Sequence, residues 1–501
     1  MILRRFGLCF AALAGVWLTG CATVPTVMSA DAQRAGIAER LRADIAVLAS
    51  DEFAGRKTGT QGEDKTLSYL EQRMREVGLV SGTNDPGSEW RMPVDLVATT
   101  PLSGSMTMTR GNREVVVPET AAAVFTPRRR ALAISGPGTG VPVVFVGYGD
   151  GSVLGDRLAG AVAVMLADPG RGAARREALF RQRATAVVTV VPDAATLAIV
   201  RNAESREKLQ LASEEEDTLS AFVTDAILAD LIGSRIWDRL KSDARADDFA
   251  PLELNLAVSI EAAAERREFT SYNLLGRIPG TVPDAGIILL LAHWDHLGEC
   301  GAPDAADRIC NGAADNASGV AAMLELAQRL KAAGPHGRDI YVLATTAEEA
   351  GLLGARGFAM TSPVPLSGIV AALNFDMVAV APAGSPVGVI GRADTPLDAA
   401  IIEAIARNGR TLGDQTLADS FVQRQDGWAL LQKGVPSVLV SSTYGSTSIL
   451  GPFLSAKYHR PRDEADDVEL GGAIDDLLLH EDLIRVLADP ARYPMATAAQ
   501  P

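Results

Sequence analysis

In the C-terminal half of the chain, short runs of Val, Ile and Leu alternate with longer amphipathic stretches. The short runs predict strands, and they lie at 287–292, 340–345, 369–374 and 438–441. The amphipathic stretches predict helices, at 318–333, 350–360, 396–408 and 474–487. Continuously apolar strands are typical of a mostly parallel sheet that helices cover on both faces. We therefore expect an α/β fold here.

The N-terminal half has a different pattern. Two helices are predicted at 38–48 and 61–77, followed by alternating, strand-like segments from Arg91 to Val117. From about residue 121 to 257 the chain contains no His or Cys, and its short strands lie at 141–149, 158–166 and 186–191, with a helix at 175–183. We interpret this stretch as an inserted β-rich domain. The predicted division is 22–118 for the first part of the main domain, 119–257 for the insertion and 258–501 for the rest of the main domain.

Length and composition agree with a globular protein of more than one structural unit. The chain has 501 residues, of which 47% are hydrophobic and 22% charged. The formal net charge is −15, and the densest basic run is Arg128, Arg129 and Arg130, which we interpret as a solvated loop. A nucleic-acid partner is therefore not expected.

The N-terminus has the features of a targeting segment. Arg4 and Arg5 precede an apolar stretch that is too short for a mature transmembrane helix and ends in Leu-Thr-Gly-Cys at Cys21. This tetrad resembles the bacterial lipoprotein cleavage box, so 1–21 is predicted to be a signal peptide and Cys21 to be lipidated. Ala22 follows where Asp would favour the inner membrane, which implies an outer-membrane anchor facing the periplasm. A plain secretory signal with a chance Cys is the alternative.

Two further cysteines remain in the body of the chain. In an oxidising compartment, Cys300 and Cys310 are expected to form a disulfide. The alternative is that both thiolates bind metal.

Six charged or titratable residues stand at the ends of apolar runs. Burying such groups costs several kcal/mol unless they are paired or bound to metal. They are His293, Asp315, Glu348, Glu349, Asp376 and His459. In parallel sheets, sites form beyond the carboxyl ends of strands, and zinc takes imidazole nitrogen and carboxylate oxygen. Two zinc ions need about five protein ligands with one carboxylate shared, which leaves Glu348 free to act as a base.

The motifs around these residues resemble metallopeptidase family twenty-eight, the co-catalytic zinc exopeptidases. The elements occur in the family's order: His-Trp-Asp-His-Leu-Gly from His293, Asn-Gly-Ala-x-Asp-Asn-Ala-Ser-Gly from Asn311, Glu-Glu-x-Gly from Glu348, Asn-x-Asp-Met from Asn374 and Tyr-His-x-Pro-x-Asp from Tyr458. Ser-Asp-Glu-Phe-Ala-Gly-Arg, from Ser50, is the first part of the match. The resemblance implies a three-layer αβα sheet of mixed, mostly parallel strands, and an inserted protease-associated domain.

The resemblance also implies a role for each site residue. One zinc would be held by His293 and Asp376, the other by Glu349 and His459, and Asp315 would bridge them. The Asp315–Asn316 peptide is expected to be cis. Glu348 would take a proton from the zinc-bridging water and pass it to the leaving amine.

Supporting roles follow in the same way. Asp295 would orient the imidazole of His293, and Asp463 would do the same for His459. Tyr458 would donate to the oxyanion, with Tyr444 as the alternative.

The remaining histidines are predicted to lie outside the ligand set. His296 is expected to position a ligand or to pack rather than to bind metal. His336 is expected to be solvated and His480 to lie at the surface. The chain departs from the family at Arg424-Gln425-Asp426-Gly427-Trp428, where many members have Ser-Asp-His, and at Ala314, where Asp is common.

These observations predict a di-zinc aminopeptidase that removes N-terminal residues from peptides. Carboxypeptidase or dipeptidase specificity remains open, because the same metal site serves each of them. Two rival hypotheses are a glutaminyl-cyclase-like acyltransferase with one zinc and a catalytically inactive binding protein. The sequence does not indicate the preferred residue or the oligomeric state.

Overall fold

A computed structural model describes residues 29–85, 87, 89–126, 131–134, 141–149, 158–214 and 219–495. The predicted signal peptide with Cys21 and the basic triplet at Arg128, Arg129 and Arg130 lie outside the described residues. Within the described part, no helix combines the length and the hydropathy needed to cross a membrane.

The described helices and strands mostly agree with the sequence pattern. The helices are α1 (Ala30–Leu48), α2 (Gln61–Val77), α3 (Gly172–Arg181), α4 (Ala194–Glu204), α5 (Asp225–Ile232), α6 (Ser234–Asp243), α7 (Ser318–Ala333), α8 (Leu353–Thr361), α9 (Pro396–Arg407), α10 (Gln415–Asp419), α11 (Gly427–Leu431), α12 (Thr447–Ala456) and α13 (Leu470–Leu487). The strands are β1 (Val80–Ser81), β2 (Arg91–Arg110), β3 (Arg113–Val117), β4 (Ala122–Phe125), β5 (Ala131–Ile134), β6 (Val143–Gly147), β7 (Val162–Leu166), β8 (Ala186–Val191), β9 (Lys208–Leu211), β10 (Leu219–Thr224), β11 (Leu252–Leu254), β12 (Ala257–Ile278), β13 (Ile287–His293), β14 (Gly298–Glu299), β15 (Ile309–Cys310), β16 (Asp339–Thr345), β17 (Ile369–Asn374), β18 (Gly388–Ile390) and β19 (Ser437–Ser441).

The main sheet is mixed, as expected for the predicted α/β fold. Its order is β18-β19-β17-β13-β16-β12-β2-β3, and the four strands β19, β17, β13 and β16 are parallel. Alternate residues of each central strand face opposite layers. Leu290 packs with α1, α2, α7, α9 and α13 in the larger core, whereas Leu291 packs with α8 and α11 on the other face. The predicted three-layer α/β/α architecture is confirmed.

A second sheet lies in the segment predicted to be an insertion. Its order is β11-β6-β7-β8-β10-β4, with four parallel strands in the middle and an antiparallel strand at each edge. The segment also contains α3, α4, α5 and α6. The long antiparallel pair β2 and β12 links the two sheets, because Met106, Met108, Val258 and Ile260 pack in the core of the second sheet. That the segment is a protease-associated domain stays a prediction.

Candidate metal centre

Three neighbouring parallel strands end at the candidate site. His293 is the last residue of β13, Glu348 and Glu349 lie in the turn that follows β16, and Asp376 comes two residues after β17. Because β13 lies between β16 and β17, these ends are adjacent. The sequence prediction that these residues meet at the carboxyl edge of a parallel sheet is therefore correct in this structure.

Asp315 reaches the same edge from a wide helical turn, Ala313–Ala317, that precedes α7. The Asp315–Asn316 peptide is cis, as predicted. The carboxylate of Asp463 accepts from the amides of Ala314 and Asp315, at 2.9 and 3.0 Å. These bonds fix the backbone of the turn and so direct the side chain of Asp315.

The two oxygens of Asp315 face two different histidines. Oδ1 lies 3.4 Å from His293 Nε2, and Oδ2 lies 3.4 Å from His459 Nε2. His293 Nε2 is also 3.5 Å from Asp376 Oδ1, and His459 Nε2 is 2.9 Å from Glu349 Oε2. The five predicted ligands thus form two groups that share one carboxylate.

Electrostatics in this buried cluster are strongly perturbed. Burial alone would lower the pKa of His293, but Glu348, Asp315 and Asp376 raise it well above its usual value. Burial also opposes the charge on Asp315, yet His293 and His459 hold the pKa of that carboxyl far below its usual range. The carboxylates Asp315 and Glu349 likewise outweigh burial and raise the pKa of His459 to about 10. Such clustered perturbation is typical of functional sites.

The donor atoms present fit two metal ions. His293, Asp315 and Asp376 offer ligand atoms that all lie within 4.8 Å of one another, and so do His296, Asp315 and Glu349. Asp376 Oδ1 is buried without a hydrogen-bond partner among the described residues, and His459 Nε2 is buried with carboxylate oxygens of Glu349 and Asp315 as its neighbours. Zinc binds imidazole nitrogen and carboxylate oxygen, so a zinc ion here would supply the partner that such buried atoms need.

His296 contacts a predicted ligand. Its Nδ1 lies 2.6 Å from Glu349 Oε1, and its ring stands edge-on to that of His459. This contact agrees with the predicted positioning role, although His296 also belongs to the second group of potential ligand atoms.

Glu348 lies beside the ligands, as expected for a base. Its Oε2 is 4.0 Å from His293 Nε2. Burial, followed by the neighbouring carboxylates of Glu349, Asp426 and Asp376, raises the pKa of Glu348 well above its usual value against the opposing effect of His293. A carboxyl with a raised pKa can accept a proton and hold it near neutral pH.

Asp295 supports both the ligand and the base. The Nδ1 of His293 lies 3.2 Å from the Asp295 carbonyl oxygen and 3.8 Å from its carboxylate. The carboxylate accepts instead from the amide of Glu348 at 3.0 Å and from that of Glu349 at 3.4 Å. The predicted orienting role therefore uses the backbone carbonyl, while the side chain shapes the Glu348–Glu349 turn.

The two tyrosines lie on one side of the site. The ring of Tyr458 stacks on that of His459, with centroids 3.7 Å apart, and its hydroxyl is 3.5 Å from Arg424 Nη2. Tyr444 is buried and packs against Phe421. Donation by either hydroxyl to an oxyanion stays a prediction.

Two sequence predictions, for Asp463 and His480, are wrong, and a third, for His336, holds only in part. Asp463 does not orient His459, since its oxygens accept from the Ala314 and Asp315 amides. His480 is buried rather than exposed: it packs on Phe375 and bonds through Nδ1 to the Asp476 carbonyl at 2.7 Å. α13 packs against α7 and α9, and its polar residues Asp476, His480 and Glu481 are buried, whereas Arg485 is exposed. His336 is only partly exposed, because its Nε2 lies 2.7 Å from the Leu330 carbonyl oxygen.

The atypical stretch at Arg424 has defined contacts. Gln425 Oε1 accepts from Asn374 Nδ2 at 2.9 Å and from the amide of Gly427 at 2.7 Å. Asp426 is buried and accepts from the hydroxyl of Thr345, and burial raises the pKa of Asp426 to about 6. Gln425 therefore ties this stretch to the end of β17, two residues before Asp376.

A cleft of about 810 Å³ opens beside the candidate ligands. Its lining includes His296, Glu349 and Cys300, and also Lys57 and the segment from Arg206 to Gln210. The disulfide Cys300–Cys310, which the sequence predicted, joins β14 to β15 at its rim, with Cα atoms 5.7 Å apart. The segment at 206–210 belongs to the predicted insertion, but β9 pairs with β2 of the main sheet.

Comparisons with known proteins agree with this geometry. A model of Peptidase family M28 matches residues 273–477, which contain all five predicted ligands and Glu348. The match is a similarity over less than half of the chain, and together with the solved structures below it confirms the prediction of a zinc metallopeptidase. A search of curated proteins found no match by sequence.

Solved structures match along most of the chain. An aminopeptidase from Aneurinibacillus sp. strain AM-1 aligns with a TM-score of 0.56 and 19% identity, over 93% of this chain and 97% of its own. A zinc aminopeptidase from Bacillus subtilis aligns with a TM-score of 0.47 and 17% identity, over 90% and 96%. A Peptidase M28 precursor from Shewanella amazonensis aligns with a TM-score of 0.41 and 16% identity, over 92% and 97%. The first of these structures shares the fold of this chain, and the other two align less closely.

Proposed function

We propose that the protein is a di-zinc aminopeptidase that hydrolyses N-terminal residues from peptides. The observation that carries this proposal is the placement of Asp315, whose two oxygens lie 3.4 Å from two different ligand histidines. A carboxylate in that position is suited to bridge two metal ions. One ion would be held by His293, Asp315 and Asp376, and the other by Asp315, Glu349 and His459.

Zinc ions at these positions would supply Lewis acidity, which polarises a carbonyl and lowers the pKa of water. The protein's own contribution begins with Glu348. Its carboxylate would accept a proton from the attacking water and deliver it to the leaving amine, a role for which its raised pKa is suited. Asp295 keeps Glu348 in place by accepting from the Glu348 amide.

The surroundings of the ligands support attack at a chain end. Met377, which follows the ligand Asp376, packs in a buried cluster with Phe421 and Tyr444, so this side of the site is filled. The cleft beside Glu349 and His296 is open and large enough for a ligand of several hundred Å³. A site that is closed on one side and open on the other favours an exopeptidase. The name of the solved structure with a TM-score of 0.56, an aminopeptidase, favours an aminopeptidase among these.

We also propose that the protein is anchored to the outer membrane by lipid on Cys21 and faces the periplasm. The cleavage-box resemblance at 18–21 supports this, and so does a disulfide at Cys300 and Cys310, since disulfides persist in oxidising compartments. Globomycin treatment of expressing cells should cause the unprocessed precursor to accumulate. Normal processing in its presence would indicate a plain secretory signal.

Turnover of an aminoacyl-anilide panel tests the enzymatic proposal. We expect the purified protein to release the anilide, to lose this activity with a chelator and to regain it with added zinc. Cyclisation of N-terminal Gln without hydrolysis would favour the acyltransferase hypothesis. Release of C-terminal residues from N-blocked peptides, with inert anilides, would favour a carboxypeptidase.

A further inference from the structure

The turn Asp51–Arg56 lies beneath the candidate metal centre, although none of its residues is a predicted ligand. Arg56 is 1% exposed, and its guanidinium donates to four backbone carbonyls. Nε donates to Trp294 at 2.9 Å, Nη1 to Leu48 at 2.7 Å and to Asn311 at 2.6 Å, and Nη2 to Gly312 at 2.9 Å. One side chain therefore satisfies carbonyls from three separate segments.

Two of those segments carry metal ligands. Trp294 follows His293 directly, and Gly312 comes three residues before Asp315. The backbone carbonyl of Arg56 also accepts from the amide of His296 at 3.4 Å. Because the guanidinium is rigid and planar, it fixes the distance between these two loops more strictly than a flexible ammonium would.

The rest of the turn is fitted to the same loops. Asp51 accepts from Asn311 Nδ2 at 2.8 Å. Gly55 has a φ of +63°, and a Cβ there would lie 2.5 Å from the Cys310 carbonyl oxygen and 2.8 Å from the Cα of Gly298. The turn thus packs closely against the paired strands β14 and β15, and only glycine at position 55 allows the approach.

The charge of Arg56 also suits this place. Burial lowers the pKa of Arg56 to about 10, while Asp463, Asp315, Asp295 and Glu349 oppose that shift, so the side chain stays cationic at neutral pH. Among the described residues it forms no ion pair, and its donors go to carbonyls. A buried cation near several buried carboxylates reduces the cost of holding them together.

We propose that Arg56 is a positioning residue that sets the separation between His293 and Asp315 and so prepares the zinc site that these two share with Asp376. The proposal rests on the di-zinc centre proposed above. It gives a physical role to the Ser50–Arg56 signature, which the ligand assignments leave unexplained.

Arg56→Lys tests this role, with Arg338→Lys as the matched control. Arg338 is also fully buried and donates to the carbonyls of Ala285, Leu487 and Tyr493, but these lie away from the ligand loops. Both variants keep the charge and lose the fork of donors, so both are expected to lower Tm. The separating measurements are zinc affinity by competition with a chromophoric chelator and the visible spectrum of the cobalt-substituted protein.

We expect Arg56→Lys to lower the affinity for one of the two zinc ions about tenfold or more, as is typical when a residue that supports a metal ligand is replaced. The visible spectrum of the cobalt-substituted variant should also change. Arg338→Lys should bind zinc as the unmodified protein does. Asp51→Ala loosens the same turn from a more exposed position and should lower zinc affinity by a smaller factor. This variant replaces Arg56→Lys in the test if Arg56→Lys does not fold.

Unchanged zinc affinity in folded Arg56→Lys, or in Asp51→Ala where that variant replaces it, would overturn the proposal. An equal loss of zinc affinity in Arg338→Lys would also overturn the proposal, since it would show that lowered stability alone weakens zinc binding. Failure of the unmodified protein to bind two zinc ions would instead contradict the di-zinc centre itself.

Discussion

The main sheet and the second sheet each contain four adjacent parallel strands with acidic residues just beyond their carboxyl ends, but these acids are satisfied in different ways. In the second sheet, Asp193 follows β8 and accepts from the amide of Thr196 as the N-cap of α4, at 2.7 Å. Asp225 follows β10 and accepts from Trp237 Nε1 and Lys241 Nζ. In the main sheet, Asp376 and Glu348 are buried among histidines and other carboxylates.

The difference shows which signal indicates a metal site. Acids after strands are common in α/β proteins, because they cap helices and pair with cations close by in the sequence. Asp193 is satisfied by the helix that it caps, and Asp225 by a tryptophan and a lysine 12 and 16 residues further along the chain. The acids of the main sheet lack such local partners, and their nearest opposite charges are histidines from distant segments. Burial without a local partner, rather than position at a strand end, therefore points to metal.

Of the changes considered, Asp315→Asn should have the largest effect, on both zinc binding and activity. The amide removes the charge that the two histidines share, so we expect loss of bound zinc and a fall in anilide turnover of more than about 10³-fold. Asp193→Asn is the matched change in the second sheet, and it should keep zinc and activity because Asn also caps helices. Metal analysis of both purified variants makes the test, and two retained zinc ions in Asp315→Asn would contradict the bridging assignment.

Glu348→Gln should separate catalysis from metal binding. The amide cannot accept a proton, so kcat should fall by about 10²–10⁴-fold while two zinc ions remain bound. Steady-state kinetics alongside metal analysis checks both parts. A variant with full zinc and unreduced kcat would show that Glu348 is not the base.

The pattern of apolar residues predicted most of the fold but not its longest strands. β8, β17, α2 and α7 have the predicted bounds, because each is a clear apolar run or amphipathic helix with glycines or polar residues at its ends. No strand was predicted over β12, which is 22 residues long and contains the charged stretch from Glu265 to Glu268. Its partner β2 belongs to the main sheet but packs Met106 and Met108 in the core of the second sheet, which no local pattern indicates.

The ligands were predictable and their supports were not. The five ligands and Glu348 stand in recognisable motifs, so their meeting point follows from the sheet topology. Arg56, Asp463 and Gln425 act through backbone or amide contacts with segments far away in sequence, and such partners cannot be read from composition. His480 illustrates the same limit, since its helix looks amphipathic but is covered by other helices.

His480 should give a pH-dependent stability that a surface histidine would not. Burial lowers the pKa of His480 to about 4, whereas the unfolded chain should have a value near 6.5. Above pH 6.5 the ring is neutral in both states. As pH falls from 6.5 towards 4, the unfolded chain takes up a proton that the folded protein refuses, so stability is lost, by about 3 kcal/mol.

His480→Phe should remove that loss. Denaturant unfolding of both proteins between pH 7 and pH 4 measures it, and the variant should gain relative to the unmodified protein as pH falls. Asp476 titrates in both proteins, so its contribution to the pH dependence cancels when their unfolding free energies are subtracted. A constant difference across this range would place His480 in contact with solvent.

Loss of the disulfide should have the smallest effect of these changes, and the effect should be confined to the region of the metal centre and should not reach the second sheet. Replacing Cys300 and Cys310 by Ser opens a short loop at the rim of the cleft, which should cost about 2–3 kcal/mol. Hydrogen exchange should increase around β14 and β15 and stay unchanged in β6, β7 and β8. Increased exchange in those second-sheet strands would mean that the two sheets unfold together.

The central claim is that two metal ions share Asp315, and a zinc titration of chelator-stripped protein tests it most directly. Anilide turnover should rise with added zinc and stop rising only at two equivalents per chain. Full activity at one equivalent, with no further zinc bound tightly, would contradict the account.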